Sequence, residues 1–367
     1  MAVPKLRFKE FNTGYISTTF EKLKGFSIQS GKSEDKGDTG EFPFYGSTGV
    51  IGHKNVFDYE GKSILIARVG ANAGSLYQID GKYSVSDNTL RLTVSDNISL
   101  DYLRGLLIKF NLNRLVFGTG QPLVTGGMIK KVNIFIPEFI EQNKIASFLS
   151  TVDEKINQLT QKHQLLSQYK QGMMQKIFSQ QIRFKADDGS EFAEWEETTL
   201  GKVVNFQNGK RVPLSESDRQ KRQGKYRYYG ASGVIDHIDD YIFDGQYILI
   251  GEDGANIITR SSPLAFIVEG QFWVNNHAHI LQSKNGSNVF LAAYLESLNY
   301  EKFNSGTAQP KLNLDNLKKV PVINPCLDEQ TKIANFLSAI DQKIVVVAQQ
   351  IEQTKQWKKG LLQQMFV

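Results

Sequence analysis

The sequence predicts a mixed α/β (α+β) fold. Two tandem, pseudo-twofold-related globular domains are separated by two long helices that pair as an antiparallel coiled coil. Three observations carry this reading. The chain repeats itself at about half its length, each repeat opens with short apolar runs punctuated by glycine, and each closes on a sustained heptad pattern. The boundaries that follow are a first domain over 1–137, a first long helix over 138–180, a second domain over 181–325 and a second long helix over 326–367.

The repeat is read directly from the residues. FYGSTGVIGH at 44–53 meets YYGASGVIDH at 228–237, and in the same register Gly61, Ile64-Leu65-Ile66 and Gly70-Ala71-Asn72 meet Gly245, Ile248-Leu249-Ile250 and Gly254-Ala255-Asn256. At a slightly larger offset Thr119, Gln121 and Pro122 meet Thr307, Gln309 and Pro310, and residues 129–156 share 15 of 28 positions with 317–344. Arg7-Phe8-Lys9 pairs more loosely with Arg183-Phe184-Lys185. The helical block is kept in both halves, whereas 20–41 and 73–118 have diverged from 203–225 and 257–306. Two copies of one frame with different working edges would have this pattern.

Within each domain, Ser63–Arg68 and Tyr247–Gly251 read as buried strands, and Leu90–Val94 and His279–Gln282 as further strands. Leu100–Phe110 and Val289–Asn299 have helical spacing. After Pro137 the apolar positions run Ile145, Leu149, Val152, Ile156, Leu159, in steps of four and three. The second copy gives Ile333, Leu337, Ile340, Ile344, Val347. An apolar seam of this length must be covered, and the simplest partner for each helix is the other. An antiparallel pair places the two domains at opposite ends of a rod. Gly172 and Gly360 stand at equivalent helix positions, where glycine costs about 1 kcal/mol; close backbone approach or a frayed end would account for them.

Composition excludes several classes. Among 367 residues, 43 Lys and Arg stand against 38 Asp and Glu, a net charge of +5. That permits a polyanion partner without demanding one. A single cysteine, Cys326, excludes an internal disulfide framework and an all-cysteine zinc site. No apolar run approaches the roughly 18–20 residues that span a bilayer, and the first ten residues lack the apolar core of a signal peptide. The expectation is a cytoplasmic protein with no membrane contact.

The search for catalytic chemistry returns little. Asn324-Pro325-Cys326-Leu327 lacks the second proline and the aromatic residue of an adenine methyltransferase loop, and reads better as the turn into the second long helix. No phosphate-binding Gly-x-x-x-x-Gly-Lys-Ser/Thr loop is present. Gly70–Gly74 is glycine-rich, but its copy at 254–258 loses the last glycine, so a tight turn explains it better. His277 and His279 are two apart without an evident third ligand, so no metal is expected and a packed or DNA-facing role is. Asp153-Glu154-Lys155 lies on the heptad helix and reads as surface.

The positive signal is basic. Arg219, Lys221, Arg222, Lys225 and Arg227 fall in one stretch with Tyr226, Tyr228 and Tyr229 and no acidic residue, and Lys210 and Arg211 extend it. Such side chains pair with phosphates. Lys32, Lys36, Lys54 and Arg68 are thinner analogues in the first domain. Tyr45 and Tyr229 open Tyr-Gly-x-x-Gly segments that either approach DNA or form structural turns. Gln121 and Gln309 can read adenine, but their presence in both copies favours a shared structural or backbone-contacting role; base-reading residues should differ between halves.

At this point the motifs PEFIEQNKIASFLSTVDEKI at 137–156 and PCLDEQTKIANFLSAIDQKI at 325–344 resemble the specificity subunits of type I restriction–modification enzymes. So do KLRFKEF at 5–11, QIRFKADDGSEF at 181–192, GTGQP at 118–122 and GTAQP at 306–310. The resemblance covers essentially the whole chain. It implies a non-catalytic subunit whose two target-recognition domains each read one part of a split sequence in double-stranded DNA. It implies helices that fix the spacer and hold two modification (adenine-N6 methyltransferase) subunits, joined by ATP-driven restriction subunits. No cofactor is implied in this chain; S-adenosylmethionine, ATP and Mg belong to the partner subunits. The competing readings are a coiled-coil adaptor whose domains bind proteins, and a self-sufficient methyltransferase or nuclease, which the missing motifs disfavour.

Overall fold

A computed structural model describes residues 3–32, 39–117, 122–306 and 309–367. Lys36, Thr119, Gln121 and Thr307 lie outside the described residues. The chain divides into two compact units, one of residues 1–161 and 348–367, the other of residues 162–347. Each unit therefore takes its own globular domain, the start of the long helix that follows it, and the end of the other long helix.

In the first unit, strands Ser27–Ser30, Thr89–Thr93, Ser63–Ala67 and Leu76–Ile79 form one antiparallel sheet in that order. A second sheet runs Gly49–Lys54, Phe42–Gly46, Lys82–Val85, Tyr59–Glu60, with Phe42–Gly46 parallel to Lys82–Val85. In the second unit the same plan is one six-stranded sheet, in the order 204–206, 278–283, 243–251, 265–274, 223–230, 233–238. The difference lies at a bend. Gly245 and Gly270 are cross-strand partners with φ of +126° and +83°, and both strands run on through them. Their counterparts Gly61 and Gly81, at +92° and +105°, interrupt the strands instead. Only glycine takes such φ values without strain.

Leu100–Phe110 is helical as the spacing predicts, capped by Ser99, and Asn288–Ser297 is its counterpart, capped by Ser287. The long helices run Phe139–Phe178 and Leu327–Met365, about 60 Å each at 1.5 Å per residue. In the first unit, Ile145, Leu149 and Val152 share a core with Leu361, Leu362, Met365 and Phe366. In the second, Ile333 and Leu337 share one with Ile177, with Met173 and Phe178 packed against it. The start of each helix thus meets the end of the other, the antiparallel pairing expected for two such helices in one chain. Lys358 binds Asp153 in the first unit, and the equivalent Lys170 binds Asp341 at 2.7 Å in the second, with the helices' roles exchanged. Leu159, Ile340 and Val347 are buried, and Ile156 and Ile344 half-buried, along the same seam. Gly172 and Gly360 have open space where a side chain would project, so close backbone approach does not explain them.

The repeated Glu-Gln dipeptide at each helix start has a physical reason. Glu141 is fully buried and accepts hydrogen bonds from Arg7 Nε and Nη2 at 2.8 and 2.7 Å and from the Tyr15 hydroxyl at 3.1 Å. Glu329, also fully buried, accepts from Arg183 Nε and Nη2 at 3.3 and 2.8 Å and from Trp195 Nε1 at 2.7 Å. Gln142 accepts from the Ser99 N–H and donates to the Pro137 carbonyl; Gln330 does the same with Ser287 and Pro325. Each dipeptide ties the Arg-Phe-Lys segment, the long helix and the short capped helix together. A carboxylate buried this deeply persists only because it is paired and fully hydrogen-bonded.

Candidate nucleic-acid interface

The motifs that recur in the globular domains converge on one ridge of loops in each unit. The Tyr-Gly segment is fixed by Ser86 N–H donating to Tyr45 O at 2.8 Å, and by Asn275 N–H donating to Tyr229 O at 3.0 Å. The end of the central strand is fixed by Arg68 N–H to Asn88 O at 2.9 Å, and by Glu252 N–H to His277 O at 2.8 Å. The Gly-Ala-Asn turn meets the Gln-Pro segment through Gly70 N–H to Pro122 O and Gly254 N–H to Pro310 O, both 3.0 Å. Val124 N–H returns to Arg68 O at 2.9 Å, and Leu312 N–H to Glu252 O at 2.7 Å. Gly31-Lys32 and Gly209-Lys210 lie beside this ridge, each following a strand at the sheet edge. A Cβ at Gly31 would fall 2.0 Å from Val85 O, so only glycine lets that loop close.

On this shared backbone the side chains differ. In the second unit Glu252 is a hub. Arg211 Nη1 lies 2.7 Å from it, Lys311 Nζ 3.5 Å and His279 Nδ1 3.8 Å. Burial raises the Glu252 carboxyl, but the hydrogen bond from Arg211 and the positive charges of Arg211 and Lys311 outweigh it and hold it below the usual carboxylate range. His279 is buried. Its Nε2 donates to the Leu312 carbonyl at 2.6 Å, which leaves Nδ1 to accept from the Asn208 amide at 2.8 Å. Burial pushes its pKa down, so this is a neutral, packed imidazole. His277 precedes the strand and is paired with Asp253 at 2.8 Å. The two histidines therefore serve separate partners, and among the described residues no cluster of three His, Cys, Asp or Glu side chains could hold a metal.

The basic stretch of the second unit is differently disposed from its sequence. Glu216–Lys221 is a short helix and Gln223–Gly230 a strand paired with Gly233–Ile238. That hairpin brings carboxylates to the patch: Arg219 pairs with Asp236 at 3.0 Å, and Arg222 with Asp239 at 2.9 Å and Asp240 at 3.7 Å. Arg211 is spent on Glu252 and on the carbonyls of Asn276 and Ala278. Tyr228 does not belong on a DNA-facing surface. It is 0% exposed, packed with Ile238 and Trp273, and its hydroxyl accepts from the Leu214 N–H at 2.9 Å. Its strand lies between two neighbours, and its last three residues, Tyr228–Gly230, are buried. Lys210, Lys221 and Lys225 remain exposed. In the first unit Lys32 and Lys54 both reach Asp58, at 3.0 and 3.7 Å, and Tyr45 is half-buried beside Tyr83. Glu252, Lys311 and Asp58 escaped the sequence reading. Alignment of the halves does set Glu252 opposite Arg68, a charge reversal that was available as a signal.

Two units with one backbone frame, different ridge chemistry and a reciprocal helix pair define a scaffold that presents two related but distinct recognition surfaces. Comparison with known proteins specifies the class. The family model of the type I restriction modification DNA specificity domain matches residues 8–168 and 193–356. A putative type I restriction enzyme specificity subunit of Haemophilus influenzae is 36% identical over 154 residues, which is 42% of this chain and 38% of that protein. The MjaVIII specificity subunit of Methanocaldococcus jannaschii is 26% identical over 82% of this chain and 77% of its own. The crystal structure of an S subunit from M. genitalium superposes with a TM-score of 0.66 at 19% identity, covering 100% of this chain and 99% of that one. The chain belongs to the type I restriction–modification DNA specificity family, and its function is DNA target recognition within that system. Among the described residues no helix is long and apolar enough to cross a membrane.

Proposed function

We propose that each unit reads one half of a bipartite target in double-stranded DNA. The long helices set the unread spacer and dock two modification subunits, which carry the adenine-N6 methyl transfer from S-adenosylmethionine. ATP- and Mg-dependent restriction subunits join that core, and the complex works in the cytoplasm. The observation that supports this reading is the doubled ridge: the same backbone hydrogen bonds recur in both units while the side chains they present differ. A scaffold for two identical tasks would have no reason to diverge there.

Lys32, Lys54, Lys210, Lys221 and Lys225 are the proposed phosphate contacts, with Arg219 and Arg222 oriented by their carboxylates. Tyr45 supports the ridge from beneath. The coiled-coil adaptor reading makes the opposite prediction about nucleic acid, so one experiment separates them. The complete complex should bind a randomised duplex pool with an affinity that falls steeply with salt, and should enrich a split sequence. Replacing residues 190–315 with the matching segment of a relative should change one half of that sequence. Absence of any enriched sequence, or a simultaneous change in both halves, would overturn the proposal.

A further inference from the structure

Arg68 stands at the end of the central strand of the first unit, where the ridge is most firmly held. Its N–H is bound to Asn88 O and its carbonyl to Val124 N–H. Its Nε is buried without a hydrogen-bond partner, and no described residue forms an ion pair with its guanidinium. The side chain is half-buried. Ser86 and Thr89, on the neighbouring segment, also have buried hydroxyls without partners. The bound backbone and the burial of Nε leave the guanidinium fork less room than a fully exposed side chain would have.

The equivalent residue in the second unit is Glu252, between the shared Ile-Leu-Ile at 64–66 and 248–250 and the shared Gly-Ala-Asn at 70–72 and 254–256; its neighbours differ too, Ala67 against Gly251 and Val69 against Asp253. The charge is reversed while the frame is kept. Every half-site presents the same backbone charge, so phosphate contact alone gives no reason to exchange an arginine for a carboxylate where the hydrogen-bonded backbone is the same in both units. A base contact is the role that differs between two units reading different sequences. An arginine offers several donors and no acceptor in a planar fork. The base edge that presents two adjacent acceptors to such a fork in the major groove is that of guanine, through O6 and N7.

Resting on the DNA-recognition reading above, we propose that Arg68 reads a guanine in the half-site bound by the first unit. The Arg68/Glu252 difference then helps give the two half-sites different sequences. In the second unit the carboxylate does other work, holding Arg211 and Lys311 at the ridge.

The test uses the assembled complex and a randomised duplex pool, with Arg68→Ala and Arg68→Lys beside the unsubstituted chain. The unsubstituted complex should enrich a bipartite sequence. Arg68→Ala should lose about 10- to 100-fold discrimination at one G·C pair in one half-site, with non-specific affinity and its salt slope unchanged. Arg68→Lys retains the charge and guards against misfolding; lacking the planar fork, it should restore only part of the preference. A loss that is uniform across sequences, with the salt slope reduced by about one, would make Arg68 a phosphate contact and overturn the proposal. So would an unchanged preference in both variants. If the unsubstituted complex enriched nothing, the DNA-recognition reading itself would fall, an outcome distinct from either.

Discussion

Replacing Glu329 with glutamine should destabilise the second unit by about 3–5 kcal/mol, the usual result of removing one partner of a buried pair. The shape is nearly conserved, so no cavity opens. The loss is electrostatic. Three donors converge on the carboxylate at 2.7–3.3 Å, and its side chain has 0% exposure. A glutamine oxygen can keep one of them, but its amide then turns a donor toward Arg183 or Trp195. Each hydrogen bond to a charged group is worth about 1.5–3 kcal/mol, so losing two accounts for the figure. Arg183 retains 17% exposure, which lets water relieve part of its stranded charge and keeps the cost from rising further. For a unit of this size, about 2–4 °C per kcal/mol, the melting transition should fall by about 6–20 °C. Thermal and urea unfolding followed by circular dichroism measures it, with Trp195 as a local fluorescence probe. The double variant Arg183→Met, Glu329→Leu should recover much of the loss, since it strands no charge. A Glu329→Gln variant within 1 kcal/mol of the unsubstituted chain would refute this account, as would a double variant no better than the single.

Three further outcomes follow. Stability should fall as pH drops below about 6.5: folded His279 resists protonation, the unfolded chain does not, and the contribution is fully present above the unfolded value and lost toward the depressed folded one. Glu252, Arg211, Lys311, Asn208 and the Leu312 carbonyl face that ring, and His279→Asn should flatten the pH profile of the second unit's melting. Gly172→Ala and Gly360→Ala should each stabilise by about 0.5–1 kcal/mol in urea titrations, because nothing lies within 4 Å of the added methyl. Four-residue insertions in both long helices, after Gln161 and after Val347, add about 6 Å. At about 3.4 Å per base pair they should lengthen the unread spacer by one to two base pairs while both half-sites stay the same. Sequencing of methylated sites reads this out, and an active variant with an unaltered spacer would count against the helices as the ruler.

The parts of the fold that are legible in sequence are those set by local periodicity or by repetition. The heptads of Ile145–Leu159 and Ile333–Val347 specify long helices because each seam position obeys one rule along one element. Leu100–Phe110 is bounded by its own cap and apolar spacing. The charge balance of the ridge is not local. Between Arg219 and Tyr229 the sequence shows no carboxylate, yet Asp236, Asp239 and Asp240 arrive across a hairpin. The seclusion of Tyr228 depends likewise on which strands flank its own, a property of sheet order. The distant partner of Arg7 is Glu141, visible in hindsight because both belong to segments that repeat.

The repetition also separates what holds the protein together from what it reads. A pair such as Asp153–Lys358 recurs as Asp341–Lys170 with the helices exchanged. This is the reciprocity of a twofold interface, in which residue i meets j and j meets i. Each member of such a pair is held by a partner on the other long helix, so neither can change alone without losing the pair. The ridge carries no such constraint. Its recurring bonds are made by backbone groups, so a side chain like that at 68 or 252 can change without disturbing them. Within each ridge the polar groups of the backbone are tied by the recurring motifs, Tyr-Gly, Gly-Ala-Asn and Gln-Pro. The freedom to vary is therefore left to side chains standing on a fixed frame. Divergence concentrated at those side chains, on a frame that stays the same, is the arrangement by which one fold can be set to two different sequences.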